Sequence, residues 1–246
     1  MRWIYISPHF DDAALSGGGL IWNQAQQGIA VEIWTVCAGD APAGPLTPLA
    51  EACHREWGIA SVVEMLALRR KEDREAARRL GAHRVNFDFP DCIYRRAPTG
   101  EPLYDKLVFG PANPLEEGLA QEMAVLLASR LLPDDTLVCP LGLGQHVDHI
   151  LVRRAAEGLQ RPLLYYADIP YLFRHADTLE PTTKGMKATL YSLPEEALVA
   201  WQEAVSKYKT QIGVLFETET KMREAFRMEW EIRQGIRLWK RGKVGE

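Results

Sequence analysis

Cysteine is scarce in this chain: there are four in 246 residues, at 37, 53, 92 and 139, and no C-x-x-C pair. That spacing excludes a structural zinc knot and a redox dithiol. Cys37 and Cys139 end apolar runs and read as small buried hydrophobes. Long apolar runs are missing too, so nothing would span a bilayer, and "MRWIYISPHF" turns polar too soon for a secretory signal. Nor is there an excess of positive charge: the formal net charge is −4, which argues against a nucleic-acid surface. The most basic stretch, "RLWKRGK", reads as a solvated helix end. Internal repeats and domain linkers are also absent. A cytoplasmic protein without membrane insertion is the default expectation, and a homo-oligomer stays open.

What is present is a hydrophobic fraction of 47%, enough for one large globular domain over 1–246. "RWIYIS" (2–7) is β-rich and stops at Pro8, so it reads as a strand feeding a loop. A helix is expected from Asp12 to Gln27, ended by Gly28, and "VEIWTVC" (31–37) is a second strand. Helices follow at 49–57 and 61–80, and "HRVNFDF" is a third strand. Residues 90–114 lack periodicity and read as a long functional or mobile surface loop. A helix at about 115–131 leads to the strand "TLVCP", the loop "LGLGQ", a helix at about 147–159 and the strand "PLLYYA". The remainder is expected to hold a strand near 186–191 and helices near 195–209 and 217–238. Strands alternating with helices predict an α/β fold, a mostly parallel sheet covered on both faces. Ligands in such sheets sit beyond the C-terminal strand ends.

Two clusters fall at such ends. "SPHFDDAALSGGG" (7–19) places His9, Asp11 and Asp12 just after the first strand. The glycines do not fit G-x-G-x-x-G, because the last position from Gly17 is Trp22, and two carboxylates would repel a pyrophosphate. Gly17–Gly19 read instead as a surface for close packing. Capping accounts for one Asp at a helix start, but a second beside it adds repulsion unless a cation shares the site. "GQHVDHI" supplies His146, Asp148 and His149 after "TLVCP". His, Asp and His from two strand ends form a plausible catalytic zinc set, with three protein ligands and one open position.

"PHFDDA" and "HVDH" resemble the H-P-D-D-E and H-x-D-H signatures of the LmbE-like, or PIG-L type, zinc-dependent N-acetylglucosaminyl deacetylases. "RRKEDREAARRLGA" and "FDFPDC" are similar to that family's Arg-and-Glu helix and Asp-bearing loop. The resemblance covers about residues 2–170, with a C-terminal helical part at about 190–240, and implies a Rossmann-like fold. It implies Zn²⁺ held by His9, Asp12 and His149, with Asp11 as general base. His146 would stabilise the oxyanion or donate a proton, with Asp148 orienting it. Arg69 and Asp91 would contact sugar hydroxyls, with Arg70 a rival to Arg69. The implied substrate is a small molecule carrying an N-acetylglucosamine-type amino sugar. A zinc amidase for a non-sugar amide or thiol conjugate, and a sugar-binding module without turnover, are the competing readings. The chain departs from the family pattern at Phe10 (usually Pro) and Ala13 (usually Glu). It also has Gly144 where some members carry a Tyr acid, which leaves His146, Asp11 acting twice, Tyr166 or Tyr171 as proton donor.

Overall fold

Five parallel strands form the body of the sheet, and their crossovers build the two helical groups around it. In the computed structural model, which describes residues 2–242, the strands are β1 (Arg2–Ser7), β2 (Ala30–Thr35), β3 (His83–Asn86), β4 (Thr136–Pro140), β5 (Leu163–Tyr166), β6 (Met186–Ser192) and β7 (Gly235–Arg241). The order across the sheet is β3-β2-β1-β4-β5-β7-β6, with β7 antiparallel to both β5 and β6. Trp3 is registered against Val31 of β2 on one side and Thr136 of β4 on the other. The order therefore reverses between β1 and β4. A crevice opens at such a switch point, outside the carboxyl ends of the strands.

The helices are α1 (Asp12–Gln26), α2 (Pro48–Trp57), α3 (Val62–Leu80), α4 (Leu119–Ala128), α5 (Val147–Gly158), α6 (Tyr171–Arg174), α7 (Leu179–Thr182), α8 (Glu195–Val205), α9 (Lys209–Phe216) and α10 (Glu219–Arg233). Thr47 caps α2 by accepting from Ala50 N–H, and Ser61 caps α3 by accepting from Glu64 N–H. Gly58 and Gly81 stop these helices in the left-handed conformation. α1 packs with α3 and α8, and α4 packs with α5. The glycines of α1 admit Trp201 of α8: a Cβ on Gly18 would stand 2.5 Å from its ring. Trp201 Nε1–H donates to the carbonyls of Ala14 and Leu15 at 2.9 and 3.0 Å, locking α1 against α8. Among the described residues no helix is long and apolar enough to cross a membrane.

The end of the chain corrects the sequence reading. The helix expected over 195–209 stops at Val205, and a separate helix, α9, follows. Between them Tyr208 is buried and donates its hydroxyl to the Phe10 carbonyl, a tertiary anchor that propensity does not encode. The helix expected over 217–238 ends at Arg233, because Gln234 turns left-handed (φ 47°). "GIRLWKR" then forms β7, so the basic tail is not a helix end. Ile236, Leu238 and Trp239 are buried there, where the strand joins β5 to β6; Lys243 of that tail lies outside the described residues. The third strand also stops early, at Asn86.

Candidate active site

The loop after β1 is built around Ser7 and the start of α1. Ser7 Oγ accepts from Ala13 N–H at 2.9 Å, which satisfies one free donor of the helix end. Asp11 holds the cap position, but its side chain caps nothing. Its carboxylate is left facing the crevice, buried, with Arg69 Nη2 at 3.9 Å. Burial and repulsion from Asp12 push the Asp11 carboxyl up from 3.8 to about 6, against the pull of Arg69 and His9.

Asp12 points the other way. Its Oδ2 accepts from His9 N–H at 2.7 Å and lies 3.1 Å from His9 Nδ1, while Oδ1 lies 3.3 Å from His149 Nε2. One ligand atom from each of His9, Asp12 and His149 fits within 4.8 Å of the others. His149 Nδ1 is 2.6 Å from Asp168 Oδ1, whose other oxygen accepts from Leu143 N–H. Nε2 is thereby aimed at Asp12.

A cation fits this donor set on electrostatic grounds. Among the described residues, Asp11, Asp12, Asp91, Asp148 and Asp168 are buried with two buried guanidiniums, Arg69 and Arg95. Such an excess of negative charge needs a metal or protons to balance it. Without a metal the imidazoles take the protons. Burial opposes charge on His149, but Asp12 and Asp168 outweigh it and raise its pKa to about 10. Burial likewise opposes charge on His9, and Asp91, Asp12 and Asp148 drive its pKa well above the usual value. Asp12 stays ionised far below the usual range: burial alone would raise it, and His149 and His9 overcome that.

Asp148 does not orient His146 as expected. Its Oδ1 takes Arg95 Nη1 at 2.5 Å, and its Oδ2 takes Cys92 N–H and His9 Nε2, each at 3.0 Å. His146 turns back onto its own helix, its Nδ1 accepting Asp148 N–H at 3.2 Å as the cap of α5. Burial, then the neighbouring His9 and His149, push its pKa down to about 3, so it is neutral and not held protonated. With Nδ1 an acceptor, the ring proton is on Nε2.

Of the two candidate arginines, Arg69 enters the site. It lies between the rings of Trp57 (5.1 Å) and Phe10 (5.4 Å), with Asp91 Oδ2 at 3.5 Å. Arg70 is spent elsewhere, on the Ala38 carbonyl and on Asp40. Tyr166 donates to the Ile6 carbonyl at 3.0 Å, so its hydroxyl is committed to the core. Tyr171 packs edge-on against His149, ring centroids 5.5 Å apart, and fills the space a side chain at 144 would need. A Cβ on Gly144 (φ 77°) would stand 2.4 Å from its ring. Gly144→Ala is accordingly expected to lower stability by about 1–3 kcal/mol, through left-handed strain and displacement of Tyr171. Chemical denaturation of the metal-free protein measures it.

The family model described as PIG-L, GlcNAc-PI de-N-acetylase, matches residues 4–159. The chain belongs to this family. The matched segment holds both clusters, from the loop after β1 to the end of α5. A 2'-N-acetylparomamine deacetylase of Niallia circulans is 30% identical over 242 residues, covering 89% of this chain and 85% of its own. A 2'-N-acetylparomamine deacetylase of Streptomyces fradiae is 33% identical over 178 residues, 69% of this chain and 57% of its own. Among solved structures, the zinc-inhibited form of the teicoplanin deacetylase Orf2 superposes with a TM-score of 0.83 at 28% identity, covering 100% of both chains. The A40926 pseudoaglycone deacetylase Dbv21 superposes with a TM-score of 0.77 at 28% identity, covering 97% of this chain and 96% of its own.

Asp168 was not singled out from sequence, although it follows β5 as His9 follows β1. A carboxylate behind a ligating imidazole fixes ring orientation and raises ligand basicity. If His149 is a metal ligand, Asp168→Ala weakens binding of the metal by about 10–100-fold, as outer-shell losses do at other sites. Competition with a chromophoric chelator reads this directly.

Proposed function

We propose that this chain is a zinc-dependent N-deacetylase that removes an acetyl or related acyl group from the nitrogen of an N-acetylglucosamine-type amino sugar carried on a larger aglycone. One observation carries the reading: Asp11, a buried and uncapped carboxylate raised to about 6, stands beside the His9–Asp12–His149 set. A non-catalytic sugar-binding module would have no use for such a base. The names of the relatives support the amino-sugar substrate: 2'-N-acetylparomamine, teicoplanin and the A40926 pseudoaglycone.

His9, Asp12 and His149 would hold the zinc ion. When bound, it supplies Lewis acidity, polarising the amide carbonyl and lowering the pKa of water. Asp11 takes the proton from the attacking water as its oxygen bonds to the carbonyl carbon. His146 Nε2–H donates to the oxygen that becomes negative. Asp11, now protonated, returns the proton to nitrogen as the C–N bond breaks, releasing carboxylic acid and amine. A carboxyl that has just accepted the water's proton can return it to nitrogen, so no separate acid from Tyr166, whose hydroxyl is committed to the Ile6 carbonyl, is needed. Arg69 has loose contacts at 3.5 and 3.9 Å and an Nε without an acceptor, which leaves guanidinium capacity for sugar hydroxyls beside Asp91. Phe109 forms the rim, its ring 5.6 Å from that of His146 and 46% exposed.

The test is amine release from N-acetylglucosamine, an N-acetylated aminoglycoside, an N-acylated glycopeptide pseudoaglycone and a non-sugar acetamide. Release from the sugar conjugates, abolished by a chelator and restored by zinc, is expected. Release from the non-sugar amide alone would establish the amidase instead, and no release from zinc-loaded protein would favour a binding module.

A further inference from the structure

The long loop before α4 is not loose. Cys92, Ile93, Tyr94, Arg95, Tyr104 and Glu116 are all buried in it. Arg95 Nη1 donates to Asp148 Oδ1 at 2.5 Å, and its Nε makes an ionic contact with Glu116 Oε1 at 2.5 Å. Tyr104 donates its hydroxyl to Glu116 Oε2 at 2.5 Å and accepts Asn113 N–H at 2.9 Å. Cys92 N–H holds the second oxygen of Asp148 at 3.0 Å, the oxygen that faces His9 Nε2. One relay therefore runs Tyr104–Glu116–Arg95–Asp148–His9, and every member between the ends is buried.

A chain of buried charges is a poor device for stability alone. Desolvating them costs several kcal/mol per ion (roughly), and apolar residues of similar volume often do as well or better. The place where this relay ends suggests another use. His149 has its far nitrogen held by Asp168, which follows β5 and is anchored by Leu143 N–H from the loop after β4. His9 has its far nitrogen held by Asp148, which sits in the first turn of α5 and reaches across to the loop. Without Arg95 and Cys92 N–H, that carboxylate could turn away.

We propose that Arg95 and Glu116 are positioning residues for His9, clamping Asp148 so that His9 presents Nδ1 to the metal beside Asp12. The inference rests on His9 being a ligand, as the proposed function has it. The imidazole tautomer is then set from the loop: Nε2–H is given to Asp148 and Nδ1 is left free to ligate.

The test measures zinc affinity by chelator competition, and the His9 tautomer by ¹⁵N NMR, in Arg95→Met, Arg95→Lys and Glu116→Gln. Asp135→Asn is the control; it breaks another ion pair, Asp135–Arg2 at 2.9 Å, at the start of β1 and so at the opposite end of the strand from the metal set. Arg95→Met is expected to weaken zinc by about 10–100-fold. Glu116→Gln should show a smaller loss of the same sign, Arg95→Lys a partial recovery, and Asp135→Asn a lower Tm with unchanged affinity. If Arg95→Met does not fold, Glu116→Gln and Arg95→Lys decide. Wild-type affinity and an unchanged His9 tautomer in the folded variants would overturn the inference. Loss of affinity in Asp135→Asn as large as in the Arg95 variants would overturn it too, by assigning the effect to stability. Failure of the wild type to bind zinc would instead overturn the metal reading on which it rests.

Discussion

On the proposed function, Asp11→Asn is expected to keep the zinc affinity of the wild type and to lose about 10²–10⁴-fold in kcat, the usual effect of removing a general base. Asp12, not Asp11, supplies oxygens to the imidazoles of His9 and His149, so the ligand set survives the change. The pH profile gives a second check. A base works ionised, so activity falls as pH drops through its pKa, about 6 for Asp11 in the metal-free site. A bound dication favours the carboxylate and moves that acid limb below 6. In Asp11→Asn the limb should vanish from the residual rate.

Stability should move the opposite way. The folded pKa of Asp11 lies above the unfolded value of 3.8, so its contribution favours the folded state below about 3.8 and is lost as pH rises through about 6. At pH 7 the ionised group is a cost to the metal-free fold. The metal-free Asn variant should therefore melt no lower than wild type at that pH. Thermal melts from pH 4 to 8 with metal analysis of the same samples check both parts. Loss of zinc from the variant would make Asp11 a ligand and remove the base from the mechanism.

Local signals carried much of the fold and marked the two clusters of the candidate site. β1 to β5 were legible because each is a β-branched or aromatic run ended by Pro, Gly or polar residues. α2 and α3 were legible because Ser, Thr and Gly mark their ends. The two candidate clusters were legible because each sits within four residues of sequence. What depends on distant partners was not. Arg95 meets Glu116 over a separation of 21 residues and Asp148 over 53, and no spacing rule links them. β7 has enough charged residues to pass for a helix end, and only its seat between β5 and β6 makes it a strand. The relation between His146 and Asp148 was misread for a geometric reason: residues two apart at a helix start do not share a face. The cap position turns His146 back onto the backbone, while Asp148 looks out towards Arg95 and His9.

That same cap sharpens the last prediction. His146 has two separable jobs. Its Nδ1 accepts Asp148 N–H at 3.2 Å, which holds α5 and fixes the proton on Nε2. Its Nε2–H is then a neutral donor, since burial and two neighbouring imidazoles keep the ring unprotonated. His146→Ala removes both, whereas His146→Ser keeps an oxygen for the cap and lacks the reach to the substrate. Only Ala should lower stability, by about 0.5–2 kcal/mol as lost caps do. Both should lower kcat by about 10²–10³-fold with little change in KM, because an oxyanion donor acts mainly in the transition state. Neither should shift the acid limb set by Asp11, since a ring that does not titrate in the working range contributes no limb. Steady-state kinetics from pH 5 to 9, beside melts and zinc content, measures all three. A His146→Ser variant with near-wild-type kcat would reduce His146 to a helix cap and leave Tyr171 as the next polar group to test at the oxyanion.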